Sequence, residues 1–196
     1  ACDAEELRRA AQSKLDWGVI VTGMDRHGLL WQTNAVLGVV GLVPAADEAA
    51  LKQAATQSAI ATFLRIEETV KIARAFDAAG LRYLMIKGAA LSVQLYHDPA
   101  RRSGRDIDVL VAPEDMAGAD ALLHTLGYGR PDEDKAKDII AGHKAKELGY
   151  LHQDHRTLVE VHDRLTDNAT LLPWDFEHLW GDRELVAIGP AQIPTM

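Results

Sequence analysis

Between Asp47 and Ala79, the apolar residues Ala59, Phe63, Ile66, Val70, Ala73 and Phe76 recur at steps of three and four, which puts them on one stripe of a long helix. Gly80 is the natural C-terminal stop of that helix. Upstream, Asp3 to about Trp17 alternates acids, arginines and small apolar residues and reads as a first helix broken near Gly18. The apolar stretch from Trp31 to Val43, closed by Pro44, reads as a second, buried helix. Residues 1–80 are therefore expected to form a helical N-terminal region.

After Gly80 the period changes from helical to extended. Arg82 to Ile86 is a short apolar strand, Lys87-Gly88 a turn, and Ala89 to Tyr96 a helix that ends at Asp98-Pro99. Asp106 to Val111 reads as a strand because apolar β-formers surround its acids and Pro113 closes the run. Pro113-Glu114-Asp115 opens another helix, with proline early and acids in the first turn, continuing through Leu122, Leu123 and Leu126 to Gly127. Asp132 to Lys146 is polar and charged, a helix or a loop. Leu148–His152 and Leu158–His162 form a hairpin joined through residues 153–156. Leu171-Leu172-Pro173-Trp174 begins a further helix or turn, and Glu184 to Ile188 reads as a last strand. The fold class is α+β: a helical section over 1–80, then a small mixed sheet with flanking helices over 81–196.

Composition narrows the function classes. The 196 residues carry 29 acids against 21 bases, a net charge of −8, which disfavours a broad grip on nucleic acid and requires any polyanion to be met locally. The single cysteine, Cys2, excludes an intramolecular disulfide and a cysteine-based zinc cluster and suits a cytoplasmic location. No run reaches the ~18 apolar residues of a membrane span, so no membrane partner is expected. The start at Ala1 and the end at Pro194-Thr195-Met196, without a capping pattern, suggest a piece or processed form of a longer chain.

The candidate chemistry lies between Leu84 and Val111. A strand alternates its faces, so Asp106 and Asp108 point the same way. Two carboxylates a few ångströms apart repel unless a cation separates them, and a hard divalent ion such as Mg²⁺ is the usual solution. Glu160, flanked by apolar residues in the hairpin strand Thr157–His162, supplies a third acid. If the two strands lie side by side, the trio suits two-metal phosphoryl or nucleotidyl transfer, in which two ions bridge the triphosphate and the attacking hydroxyl and the third carboxylate holds the catalytic ion or takes the hydroxyl proton. His162 shares the face of Glu160, where it could orient a carboxylate, touch a nucleotide phosphate, or fill a polar niche. Lys87-Gly88 sits between a strand and a helix, so a phosphate could rest on the helix N-terminus beside the lysine charge. Arg101, Arg102 and Arg105 precede the paired acids.

The order Lys-Gly, short helix, LYHDP, arginine, DIDVLV and later VEVH resembles an uncharacterised bacterial nucleotidyltransferase family of the DNA polymerase β-like superfamily. The resemblance covers roughly Ala75 to Leu165 and is weaker in the helical N-terminal part. It implies a nucleotidyltransferase core over 81–196 in which Asp106, Asp108 and Glu160 are catalytic and bind Mg²⁺ or Mn²⁺. It also implies that Lys87, Gly88, Arg102 and His162 contact nucleotide or phosphate. The superfamily's phosphate-binding turn is usually Gly-Ser, and Lys87-Gly88 stands in its place. The family usually continues into a further helical region, which would lie beyond Met196.

The implied activity is transfer of a nucleoside monophosphate from NTP to a hydroxyl or phosphate on a small-molecule, peptide or protein acceptor. The competing reading is a non-catalytic nucleotide-binding or regulatory module of the same fold, as one part of a larger protein or a toxin–antitoxin-like pair. The plain alternatives are solvated edge-strand acids for Asp106 and Asp108, and an exposed hairpin position for Glu160. For Lys87, Arg101 and Arg105 the alternative is an ordinary surface charge, and for His162 a structural role. His143, His152, His155 and His178 show no metal-box spacing, and Trp17, Trp31, Trp174 and Trp180 read as packing residues.

Overall fold

A computed structural model describes residues 5, 15–30, 32–34, 43–102, 104–130, 147–153, 157–168 and 170–196. The segment 132–146, most of the 31–43 stretch, Trp31 and the hairpin turn at 154–156 lie outside the described residues. The chain divides into two compact units, residues 1–64 with 100–103 and residues 65–99 with 104–196.

In the first unit, helix α1 (Trp17–Arg26) begins where the sequence suggests a break. The Asp16 carboxylate caps it by accepting from Val19 N–H at 3.1 Å. A Cβ on Gly18 would approach that carboxylate oxygen to 3.2 Å, so the glycine leaves room for the cap; the helix expected from Asp3 lies mostly outside the described residues. Trp17, Leu30 and Leu51 are buried together, with Ile20, Val21, Met24, Val43 and Ala54 packed against them.

Helix α2 (Ala45–Ala79) follows Pro44, with Asp47 and Glu48 in its first turn. Gly80 ends it at φ +68°, a left-handed conformation that lets Leu81 N–H reach Phe76 O at 3.0 Å. Ala73 and Phe76 of the predicted stripe are fully buried, but Phe63 is exposed. Polar side chains share the buried line. Thr62 and Thr69 are buried because each hydroxyl donates to a carbonyl one turn back at 2.8 Å. Glu68 is buried because it accepts from Tyr128 Oη at 2.8 Å and pairs with Lys71 at 3.1 Å.

The second unit is built on one sheet, ordered β3-β4-β5-β2-β1-β7-β6 among the described residues. Its strands are β1 (Tyr83–Met85), β2 (Asp106–Val111), β3 (Tyr128–Gly129), β4 (Glu147–His152), β5 (Leu158–His162), β6 (Glu184–Ile188) and β7 (Ala191–Thr195). Between β1 and β2 runs helix α3 (Gly88–Tyr96), and after a 3₁₀ turn at Pro113–Asp115 comes α4 (Met116–Thr125). Helix α5 (Phe176–Gly181) precedes β6. The sheet is mixed: β2 pairs parallel with β5 and β1 parallel with β7, while β1–β2, β3–β4, β4–β5 and β6–β7 are antiparallel. This is the expected α+β architecture.

Two strands escape the sequence pattern. The short β3 has only two residues. Strand β7 is hidden by Pro194, which cannot donate to a ladder. Even so, Ile193 and Thr195 of β7 are buried, and Thr195 Oγ1 donates to Met85 O at 2.6 Å.

Period-two alternation gives the sheet two different faces. Ile107, Val109, Val111, Val159, Val161, Leu148 and Tyr150 turn to the main core with Ile72, Ala73 and Phe76 of α2 and Leu123 of α4. The opposite face carries a smaller cluster in which Leu84, Ile86, Leu110 and Ala112 pack against Phe176 and Leu179 of α5. Arg82 fixes α5 there, reaching both oxygens of Glu177 at 2.9 and 2.5 Å and lying 5.3 Å from the Phe176 ring centre. Trp17 is buried and Trp180 half-buried, whereas Trp174 is 53% exposed and stacked on His178, so its expected packing role is not met. Among the described residues no helix is long and apolar enough to cross a membrane.

Strand β7 supplies a stability test. Ile193→Ala should cost about 2–5 kcal/mol in denaturant unfolding, the usual range for a buried aliphatic. Leu185→Ala on the exposed side of β6 should stay within about 0.5 kcal/mol. Equal effects would remove β7 from the core.

Candidate active site

The site is set by strand pairing. β2 is the fourth strand of seven, so its acids are not on a solvated edge. In the parallel β2–β5 register Asp108 stands beside Glu160, Asp106 beside Leu158 and Leu110 beside His162. Asp106, Asp108, Glu160 and His162 therefore share the face opposite the main core. On the far side of β5, Gly149 stands opposite Glu160 and Glu147 opposite His162. The glycine presents no side chain over the acid, and Glu147 adds a fourth carboxylate to the face.

Lys87 reaches this face by a different route. The β1–β2 ladder continues one step beyond β1, with Ile86 N–H donating to Asp108 O at 3.2 Å. Lys87 follows directly, and its Nζ lies 2.6 Å from Asp108 Oδ1. Gly88 has φ +61°, and a Cβ there would meet nothing within 4 Å. The glycine is needed for its backbone angle rather than for close packing. Lys87 is the N-cap of α3, and its side chain makes no capping hydrogen bond to that helix.

His162 is enclosed by carboxylates and only 4% exposed at its side chain. Nε2 lies 3.1 Å from Asp108 Oδ1 and 3.9 Å from Glu160 Oε2, and Nδ1 lies 3.4 Å from Glu147 Oε2. Of the three uses the sequence leaves open, this geometry fits orientation of a carboxylate, because both ring nitrogens already face acids rather than an open phosphate site. Ligand atoms of Asp108, Glu160 and His162 all lie within 4.8 Å of one another. Asp106 stands one pleat away on the same face and acts on this group through its charge.

The charges are strongly coupled. Burial alone would raise the Asp108 carboxyl, but hydrogen bonds from His162 and Lys87 reverse this and hold it below the usual range. Burial also pulls the Lys87 ammonium down, and the hydrogen bond and charge of Asp108, with Asp106 and Glu160 behind, outweigh it so that the net shift is upward. Glu160 goes the other way. Burial raises it first, and Asp106, Glu147 and Asp108 raise it further, against a smaller opposing contribution from His162.

Sequence reasoning misses two residues here. Glu147 begins β4, one position before the strand expected at Leu148. Arg65 lies on α2; burial lowers the pKa of its half-buried guanidinium while the nearby Asp106 charge acts to raise it. The alternation of Glu147, Gly149 and Leu151 is a usable sign for the first, whereas nothing local marks Arg65. Arg101 and Arg105 are exposed, as surface charges would be, while Arg102 is half-buried and falls with residues 100–103 in the first unit.

The group of Asp108, Glu160 and His162 could hold a metal ion. It offers several carboxylate oxygens on one face, with one acid, Glu160, destabilised in its charged form by the others. The family model described as "Uncharacterised nucleotidyltransferase" matches residues 13–196, and the chain belongs to that family. No curated protein and no solved structure matches it.

The repulsion on Glu160 has a measurable sign. Its folded pKa lies above the ordinary value of 4.5, so the ionised form costs stability once the pH exceeds the folded value, and the cost vanishes below the unfolded one. In EDTA, Glu160→Gln should therefore melt higher than the wild type at pH 7.5, with the gap closing as pH falls below about 4.5. A gap independent of pH would show that Glu160 is not under electrostatic pressure.

Proposed function

We propose that the protein is a metal-dependent nucleotidyltransferase that moves a nucleoside monophosphate from an NTP to a hydroxyl or phosphate acceptor. Family membership supports the reaction class. The observation that carries the chemistry is the Asp108–Glu160 pairing on β2 and β5, which gathers acids on one sheet face beside an uncapped helix N-terminus.

In this reading Asp106, Asp108 and Glu160 hold Mg²⁺ or Mn²⁺, which when bound would offset the negative charge of the reacting phosphates. The first turn of α3 at Gly88, an uncapped positive helix end, would receive nucleotide phosphate, with the Lys87 ammonium at its entrance. The acceptor oxygen attacks the α-phosphorus, the bond from that phosphorus to the β-bridging oxygen breaks, and pyrophosphate leaves. Glu160 is suited to take the proton of a hydroxyl acceptor, since its surroundings raise its basicity. His162 holds Asp108 from one side and Glu147 orients His162 from the other. The acceptor class would be a small molecule, peptide or protein, because the net charge of −8 offers no broad surface for nucleic acid.

An NTP at 100-fold its Kd, with Mg²⁺ or Mn²⁺, should raise Tm by about 5–10 °C. The shift should vanish on chelation and in the Asp106→Ala plus Asp108→Ala variant. Transfer of labelled α-phosphate to an acceptor, absent in that variant, would establish turnover. Metal-dependent stabilisation without transfer to any acceptor would favour the non-catalytic module, and stabilisation that survives the double substitution would sink the site.

A further inference from the structure

Resting on the metal-site reading above, we propose that the Lys87 ammonium fills one of two cation positions on Asp108, so that the acid cluster takes a single divalent ion. Two-ion sites depend on a carboxylate that bridges the ions, one oxygen to each, with the ions about 3.5–4 Å apart. Asp108 is the central acid of the trio and the natural bridge, since it stands beside Glu160 on one strand and one pleat from Asp106 on its own.

Its Oδ1 is already fully engaged. Lys87 Nζ lies 2.6 Å from that oxygen and His162 Nε2 3.1 Å from the same atom. A carboxylate oxygen has two lone-pair directions, and these two donors use both. Only Oδ2 is left for a metal, so Asp108 contributes one oxygen to one ion and cannot bridge. The Asp108 side chain is 1% exposed and that of His162 4% exposed, while the Lys87 side chain, 47% exposed, reaches Asp108 from the open side. Lys87 follows directly on a residue hydrogen-bonded to β2 through Asp108 O.

Charge points the same way. Among the described residues, the carboxylates of Asp106, Glu147 and Asp108 press on Glu160, Lys87 brings positive charge to Asp108, and Arg65 feels Asp106. With the Lys87 charge already on Asp108, less repulsion is left for divalent ions to offset. A lysine at the place where the superfamily's turn usually carries serine therefore does more than supply a phosphate contact. It stands in for an ion.

The test is the number of Mn²⁺ ions bound per nucleotide-free chain, from titration followed by electron paramagnetic resonance. Wild type and Lys87→Arg should bind one ion, and Lys87→Met, which keeps the stem but frees Oδ1, should bind two. Two ions in the wild type would overturn the proposal, as would an unchanged count in a folded Lys87→Met. If that variant does not fold, the wild-type and Lys87→Arg counts decide, two ions in either one being fatal. A wild type that binds no Mn²⁺ overturns this proposal together with the metal-site reading. Two ions in a chain that still shows metal-dependent NTP stabilisation overturns this proposal alone.

Discussion

Like charges held on one face of a sheet repel, and the arrangement of this site follows from how that repulsion is offset. The parallel pairing of β2 with β5 sets Asp108 beside Glu160, with Asp106 one pleat away and Glu147 across the next strand. In the low-dielectric surroundings of a central strand such a group could not all be ionised without compensation. Lys87 and His162 give that compensation to Asp108, which is held ionised, while Glu160 receives little of it and is pushed toward its protonated form. The result is two paired acids with opposite tendencies, Asp108 shifted toward its ionised form and Glu160 toward its protonated one.

The fold provides this arrangement through the division of labour between its two faces. One face is almost entirely aliphatic and aromatic and seals against α2 and α4, so the core needs nothing from the acid-bearing side. On the other face a smaller apolar patch around Leu84, Leu110 and Phe176 covers the β1 end. Arg82 and Glu177 clamp α5 over that patch. The remaining part of this face, along β2 and β5, carries the carboxylates. Strand β2 alternates between the two roles residue by residue, which is why six residues can both build the core and hold the site.

Turn chemistry at Lys87-Gly88 links the acids to the start of α3. Gly88 adopts a positive φ and starts α3 without a side-chain cap, while the preceding lysine turns its ammonium back to Asp108. A serine in that turn would offer a hydroxyl to phosphate but no charge to the acids. Lys87 brings charge to the acids and ties the start of α3 to β2 through one side chain.

Much of this is legible in the residues alone. The alternation in DIDVLV places Asp106 and Asp108 on one face, the apolar flanks of Glu160 place it in a strand, and Gly80 marks the end of the long helix. These are local properties, set by side-chain period and backbone preference within a few residues. Pro194 conceals β7, because a residue without an N–H argues against a strand until its neighbours Ile193 and Thr195 are seen to be buried. Tertiary contacts alone set the register of β2 against β5 across some fifty residues of chain, the meeting of Lys87 with Asp108, and the entry of Glu147 and Arg65 into the field of the site. No local pattern encodes these contacts: they depend on which strands become neighbours, and that choice is made by the burial of the opposite face of the sheet.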